Sequence, residues 1–486
     1  MSRGRLVVHG HFYQPSRADP FSGRIPADPS AAPAHDWTER VSAESYRPNA
    51  ERGNLAHMSW DLGPTLASWM EHHDPVAYRG FLGGDRGING LAQPFHHAIL
   101  PLASAADRRT EVLWGLRDFA WRFGRSALGV WLPETAVDRA TLRLLADLGV
   151  RHTILAPWQS GDPHIDTRRP HRVELGEGRS IAVAFYDGDL SGAVSFEPRA
   201  TADADRFAQD VVESRMAPGS LPDDEPPTVV IATDGELYGH HQTFAELFLE
   251  RLIQPRPDGD PRGFDVVPLA VALAEPADHP FRSIEIVDRT SWSCHHGVLR
   301  WTAECPCVPD GRWKGPLRAA LERLAAGVDA VTDIVAAGLA GSPDPWSARD
   351  DYVEVVIGAE EAAAFAARWL GSDAGDADRA RFLELMDAQR WRLAMFASDG
   401  WYWDDPSRPE TAAVLRCAAR AARVADGIAD GIAGRGRDAA GLERRLVADL
   451  GLLSSPGYGV DGAELYRRAL IEVGQPVPPD AGRPGR

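Results

Sequence analysis

The sequence predicts an α/β protein: a buried parallel sheet, open or closed into a barrel, followed by a helical C-terminal region. Three observations lead there. Short β-rich apolar runs alternate with helical periodicity as far as about residue 270. The runs are continuously apolar, as strands buried on both faces must be. From about residue 314 the chain becomes rich in Ala, Leu and Arg, keeps a helical period and has few β-branched runs.

In chain order, strands are expected at Leu6–His9, Ala127–Leu132, His152–Leu155, Ile181–Tyr186 and Thr228–Ala232. Most end in polar residues capable of chemistry. A helix is expected at Asp138–Leu148, where Leu142, Leu145 and Leu148 fall at helical spacing. Another is expected at Thr243–Ile253, where Phe244, Leu247, Phe248 and Leu252 make one apolar face. Residues 16–53 are rich in Pro, Ala, Asp and Arg and show little periodicity, which predicts a long loop. Segments 216–227 and 254–263 are Pro/Gly/Asp-rich and predict surface loops. Further helices are expected at Leu317–Ala336, Asp351–Leu370, Ala377–Ala397, Glu410–Ile432 and Ala439–Leu452, and a disordered tail after Gly474. The expected organisation is a sheet-based domain over 1–313, a helical domain over 314–474 and a tail over 475–486.

Composition narrows the function classes. The chain has 486 residues and a net charge of −18, which argues against a general binder of nucleic acid or anionic membrane. Its longest apolar runs fall far short of the roughly 20 residues of a membrane span. The N-terminus lacks the apolar centre of a signal peptide, and 4 cysteines are too few for a disulfide scaffold. A cytoplasmic protein is expected. The 15 Trp exceed ordinary usage, and exposed Trp offers a surface on which sugar rings stack.

Two segments concentrate acids at strand ends. Gly129-Val-Trp-Leu-Pro-Glu134 delivers a carboxylate just after a strand. Val229-Val-Ile-Ala-Thr-Asp234-Gly-Glu236-Leu-Tyr-Gly-His240-His241 does so again, beside aromatic and imidazole groups. In a parallel barrel the C-terminal strand ends form the active-site mouth. Two carboxylates converging there divide into nucleophile and general acid when their environments separate their pKa values, which is what glycosidic cleavage needs. His9-Gly-His11 on a strand places both imidazoles on one face. The adjacent pair His96-His97 diverges, so at most one faces a site. Phe396-Ala-Ser-Asp399-Gly-Trp401-Tyr402-Trp403-Asp404-Asp405 mixes aromatics with acids inside the helical region, as a sugar platform or a core plug.

A third cluster, Cys294-His295-His296 through Cys305-Pro-Cys307, holds donors suited to zinc, but its spacing matches no structural-zinc pattern. No metal and no cofactor is expected. Two other classes compete with glycosidic cleavage. One is a metal-dependent deacetylase or mannosidase on a related barrel, drawing on His9, His11, His97, His240 and Asp234. The other is a catalytically inert carbohydrate-binding protein.

At these residues the chain resembles glycoside hydrolase family 57. His11 to Pro15 looks like that family's first motif, with Phe12 and Tyr13 inserted, and Phe95 to Leu102 looks like its second. Gly129 to Glu134 resembles the third, Asp234 to His240 the fourth and Ser398 to Trp401 the fifth. The cysteine-bearing stretch and helical C-terminus look like a bacterial subgroup with an additional domain of unknown function. The resemblance implies an incomplete (β/α)7 TIM-like barrel followed by helices that complete the cleft. It also implies a retaining hydrolase or transglycosylase (amylase, glucanotransferase or branching enzyme) acting on an α-glucan or oligosaccharide. On it, Glu134 would be the nucleophile and Asp234 the general acid/base. His11, Gln14, His97, Glu236, His240 and Asp399 would contact or support substrate, and Trp131, Trp401 and Trp403 would be stacking surfaces. Glu236 would orient His11 or His240. The sugar, the linkage, the choice between hydrolysis and transfer, and the oligomeric state stay open at this level.

Overall fold

The structure is a computed structural model that describes residues 3–216, 226–256, 261–275, 280–431 and 441–478. Most of loop 216–227, part of loop 254–263, Ile432, residues 439–440 and the tail from 479 lie outside the described residues. The chain divides into two compact units, and the division is not linear. The first comprises Met1–Gln14, Ala27–Phe95 and Phe119–Ser293; the second comprises Pro15–Pro26, His96–Asp118 and Cys294–Arg486. The expected linear boundary at 313 marks where long helices begin. The change of packing partner comes earlier, at 294, and two earlier segments also join the second unit.

In the first unit, strand β1 (Gly4–Phe12) pairs in parallel with β2 (Ser59–Leu62) on one side and β7 (Thr228–Asp234) on the other. β2 pairs in parallel with β3 (Gly90–Leu91). Parallel bridges Ala92–Val130 and Gly129–His152 lead on to β4 (His152–Leu155), which pairs in parallel with β6 (Arg179–Phe185). The Asp187 amide donates to Val230 O at 2.8 Å and returns the chain to β7. Among the described residues, seven staves thus follow one another around a TIM-like barrel, with the 129–130 segment as the fourth and a thin seam between β6 and β7. β5 (His171–Gly176) runs antiparallel to β6 as an outer hairpin.

The period-2 pleat sorts the side chains. Leu6, Val8, Val229 and Ile231 pack outward in one buried layer with helix residues such as Leu66, Phe81 and Leu249. Val7, Leu91, Ile154, Ala184, Val230 and Ala232 fill the barrel interior. Continuing the inward set along β1 and β7 leads from Val7 to His9 and His11, and from Val230 and Ala232 to Asp234. The same alternation that builds the core therefore raises imidazoles and a carboxylate at its top.

Several helices fall close to expectation. Arg139–Asp147 is capped by Asp138, whose carboxylate accepts from the Thr141 amide, and Ala245–Ile253 covers the second expected helix. The expected long loop 16–53 is instead largely helical from Trp37 to Glu51, because Asp36 caps its start by accepting from the Thr38 and Glu39 amides. The expected helix Asp351–Leu370 is broken: Val353–Val356 ends before Gly358, whose φ of 77° is left-handed, and a new helix runs Ala362–Leu370. Strands β2 and β3 and helices Pro64–His73, Pro75–Gly84 and Ala105–Phe123 were not expected.

The second unit is helical. Its longest elements are Lys314–Ala336, Asp376–Ala394 and Pro409–Asp430. Buried alanines at 418, 419, 421, 422 and 425 give the last of these a thin face for close helix packing. Among the described residues no helix is long and apolar enough to cross a membrane.

Candidate active site

The top of the barrel is built in register. His11 on β1 stands opposite Asp61 on β2 and opposite Asp234 on β7. Asp61 is fully buried and accepts from both strand histidines, with Oδ1 3.0 Å from His9 Nε2 and Oδ2 2.8 Å from His11 Nδ1. Gln93, just past β3, donates to the same Oδ2 at 2.8 Å. Burial alone would lower His11, but the charge and hydrogen bond of Asp61, joined by Asp234 and Glu236, outweigh it and hold the imidazole up to about 9. His9 goes the other way, because burial dominates there. The site thus holds one cationic imidazole between carboxylates and one neutral imidazole beneath it.

Trp131 forms the floor. Its ring stacks on His9 at 4.9 Å and on His11 at 5.0 Å, and it is fully buried. Trp292 stands edge-on to Trp131 at 5.0 Å and to His11 at 6.2 Å, and is half-buried. Trp131 is therefore not the expected sugar-stacking surface: both histidines occupy its face. Trp292 is the aromatic at this site that keeps solvent contact.

Glu134 sits in a strained turn. Both Glu134 (φ 56°) and Thr135 (φ 47°) adopt left-handed backbone, which is costly for a β-branched residue. The turn is held because Thr135 Oγ1 donates to Gln159 Oε1 at 2.9 Å, Gln159 Nε2 donates to Thr135 O at 2.8 Å, and the Val137 amide donates to Thr290 O at 3.0 Å. The half-buried Glu134 carboxylate accepts from Ser293 Oγ at 2.6 Å and Trp292 Nε1 at 3.0 Å, both on Oε2. Desolvation raises its pKa against the pull of Ser293, and the negative charge of Asp234 raises it further.

Asp234 is exposed at the mouth, yet surrounded closely enough that desolvation, followed by the charge of Glu236, pushes its carboxyl up to about 6; His11 pulls the other way. Glu236 is buried and its pKa is raised by desolvation. It accepts from the Tyr46 hydroxyl and, at 3.2 Å, from Gln14 Nε2. Hydrogen bonds to Tyr46 and Gln14, rather than the expected ones to His11 or His240, fix Glu236, because the helix from Arg47 and the π-turn Ser42–Tyr46 bring Tyr46 over the strand end. His240 pairs through Nδ1 with Glu44 and stands edge-on to Trp37. Gly239 makes that approach possible: its φ is 133°, and a Cβ there would lie 2.2 Å from Glu44 O.

The remaining expected residues belong to the second unit. His96 and His97 do diverge. His96 Nδ1 binds Glu111 Oε1 at 2.8 Å, while His97 Nδ1 binds Ser398 Oγ at 2.7 Å. The Ser398 amide donates to His97 O at 3.1 Å, so the second and fifth motif segments meet here, one residue before the half-buried Asp399. Trp401 is buried, stacks on Phe396 and donates to Lys314 O at 3.2 Å. It is core packing, not a stacking surface for sugar. Trp403 is 40% exposed, with the Arg408 guanidinium 4.5 Å over its ring.

Sequence reasoning missed Asp61, Gln93, Tyr46, Trp292 and Ser293. For Asp61 a signal existed: Ser59-Trp-Asp-Leu62 precedes Gly63-Pro64, a strand followed by a helix start. Among the described residues, the groups that converge closely enough to share a metal are Cys294, His296, Cys305 and Cys307, not the strand-end histidines.

A family model described as Glycosyl hydrolase family 57 matches residues 84–256, and one described as a domain of unknown function (DUF3536) matches residues 310–469. No curated protein matches by sequence. Among solved structures, an exo-type maltose-forming amylase from Pyrococcus sp. ST04 is similar, with TM-score 0.74 and 15% identity, over 96% of this chain and 88% of that one. A GH57-type branching enzyme from Pyrococcus horikoshii gives TM-score 0.58 and 16% identity, over 96% and 94%. A 4-alpha-glucanotransferase from Thermococcus litoralis gives TM-score 0.53 and 15% identity, over 86% and 60%. Residues 84–256 thus match glycosyl hydrolase family 57, and the helical region matches the DUF3536 model over residues 310–469.

Proposed function

We propose that the chain is a retaining glycoside hydrolase or transglycosylase acting on α-linked glucans. The observation that carries this reading is the pair Glu134 and Asp234: two carboxylates from different staves, both reached by solvent and close enough that the charge of Asp234 raises Glu134. In the first step the Glu134 carboxylate attacks the anomeric carbon while Asp234 protonates the departing glycosidic oxygen. In the second, the Asp234 carboxylate takes a proton from water or a sugar hydroxyl, which displaces Glu134 from that carbon. Ser293 and Trp292 favour the Glu134 anion against the burial that raises its pKa, while burial and the charge of Glu236 push Asp234 up to about 6, as an acid role requires.

The solved structures named above as an amylase, a branching enzyme and a glucanotransferase support an α-glucan as substrate. We carry forward His97, Asp399 and Trp403 as oligosaccharide contacts, so Asp399→Ala is expected to weaken oligosaccharide binding. None of the 4 cysteines is in a disulfide, which fits a cytoplasmic compartment. The test is a mechanism-based glycosyl fluoride trap on the full chain, followed by peptide mapping. A sugar adduct on Glu134, together with longer or branched products from maltooligosaccharides, supports transfer; shorter products alone support hydrolysis. A sugar adduct on another residue overturns the assignment of Glu134, and no turnover of any glycan by the wild type overturns the enzymatic reading.

A further inference from the structure

Three cysteines and a histidine that sugar chemistry leaves unused converge in the second unit. Cys294, His296, Cys305 and Cys307 each place a ligand-capable atom within 4.8 Å of all the others. Cys294 Sγ lies 3.4 Å from Cys305 Sγ, Cys305 Sγ 3.4 Å from His296 Nδ1, and His296 Nδ1 3.3 Å from Cys307 Sγ. Around a tetrahedral zinc, with Zn–S about 2.3 Å and Zn–N about 2.0–2.1 Å, such atoms stand about 3.5–3.8 Å apart. The cluster is therefore the right size to close on one ion with small movements.

Two turns build it. The Gly297 amide donates to Cys294 O at 3.1 Å, and the Val308 amide donates to Cys305 O at 2.8 Å. Each turn carries ligands at its first and third positions, so an arm with one intervening residue suffices where the usual pattern has two. Backbone amides also point at the sulfurs: those of His296 and Arg300 at Cys294, and that of Cys307 at Cys305.

A second observation is independent of the spacing. Lys314 is fully buried, and its Nζ has no hydrogen-bond partner among the described residues. It lies within electrostatic reach of Cys305 and Cys294, with Arg300 and Asp404 also acting on it. A buried ammonium without a hydrogen-bond partner is poorly compensated. Three thiolates and a neutral imidazole on a divalent zinc carry one net negative charge, which a buried ammonium balances.

We propose that Cys294, His296, Cys305 and Cys307 form a closed structural zinc site that fastens the 294–308 segment, with Lys314 as its charge-balancing neighbour. Four protein ligands leave no open position for substrate, so the ion is not catalytic. Binding releases the thiol protons to solvent, one from each of the three cysteines, and involves no electron transfer.

The experiment uses the full chain as purified. Elemental analysis is expected to find about one zinc per chain. Cobalt(II) added to the reduced, chelator-treated chain is expected to give the visible bands of tetrahedral cobalt and a thiolate-to-cobalt charge-transfer band. Alkylation is expected to leave Cys294, Cys305 and Cys307 protected until chelator is added. Cys305→Ser with Cys307→Ser is expected to lose the zinc; if that variant does not fold, the wild-type measurements decide. Absence of metal with freely alkylated thiols, a Cys294–Cys305 disulfide in peptide maps, or iron or copper in place of zinc would each overturn the proposal. None of these readouts depends on turnover, so failure here is distinct from failure of the glycosidase reading.

Discussion

His11 Nδ1 lies 2.8 Å from Asp61 Oδ2, at matching positions of two neighbouring parallel strands and almost wholly out of water. The pair fixes a positive charge in the barrel mouth, next to Asp234. Its worth depends on pH with a definite sign. His11 holds its proton up to about 9 when folded, against 6.5 ordinarily. The stability from this proton is complete below about 6.5 and is lost as pH rises through about 9. Asp61, held below 3.8 against burial by His11, adds stability present above that value and lost as pH falls through its folded value. The thermal midpoint of the wild type is expected to fall between pH 6.5 and 9 more steeply than that of His11→Gln, by scanning calorimetry. Equal slopes would refute the assignment. Asp61→Asn takes the nearest negative charge away from a buried imidazolium and is expected to cost about 3–5 kcal/mol in denaturant unfolding.

Asp234 must be protonated to act as an acid. With its carboxyl pushed up to about 6, the fraction of competent enzyme falls as pH rises through that value. A pH–rate profile of kcat/KM is expected to descend on a limb near 6, and Asp234→Asn is expected to lower kcat by about 10²–10⁴. A profile flat from 5 to 8 would remove Asp234 from the acid role.

Ser293 acts on the opposite limb. Its hydroxyl, 2.6 Å from Glu134 Oε2, stabilises the carboxylate over the acid. Ser293→Ala removes that donor, so Glu134 holds its proton to higher pH. Since the anion is the nucleophile, the ascending limb of kcat/KM is expected to move upward in pH while the descending limb stays. An unmoved ascending limb would mean that Glu134 does not control it.

Gln159 supports the turn that presents Glu134, exchanging two hydrogen bonds with Thr135, one at 2.9 Å and one at 2.8 Å. Gln159→Leu leaves the buried hydroxyl and carbonyl of Thr135 unpaired. It is expected to cost about 1–3 kcal/mol and to lower kcat more than it raises KM, because the left-handed backbone at 134–135 loses its restraint. A change confined to stability would assign Gln159 a structural role only.

The strands that were legible in the sequence were those with consecutive apolar residues of their own. Thr228–Asp234 holds the unbroken apolar run 229–232 with polarity changing abruptly after it, and His152–Leu155 ends on the apolar pair Ile154 and Leu155. Others were hidden. Ser59–Leu62 and Gly90–Leu91 are held by neighbouring strands rather than by their own propensity, so Asp61 and Gln93 went unseen. Trp131 and Trp401 were misjudged because residue type says that a ring is large, not which face another ring already covers. The helical stretch Trp37–Glu51 was missed because its Pro- and Asp-rich surroundings resemble a loop, while one side-chain cap decides the matter.

By itself the sequence determined the class of the fold and the two acids at strand ends, because the pleat alternates with period two and a polar residue on the inward side of an apolar strand has few places to go. It also supplied every donor of the cysteine and histidine cluster. Only the tertiary structure decided who faces whom. Asp61 meets His11 through strand register, Ser293 and Trp292 reach Glu134 across more than 150 residues of chain, and two turns gather Cys294, His296, Cys305 and Cys307. Those relations depend on closing long loops in space, a quantity that local spacing along a chain does not encode.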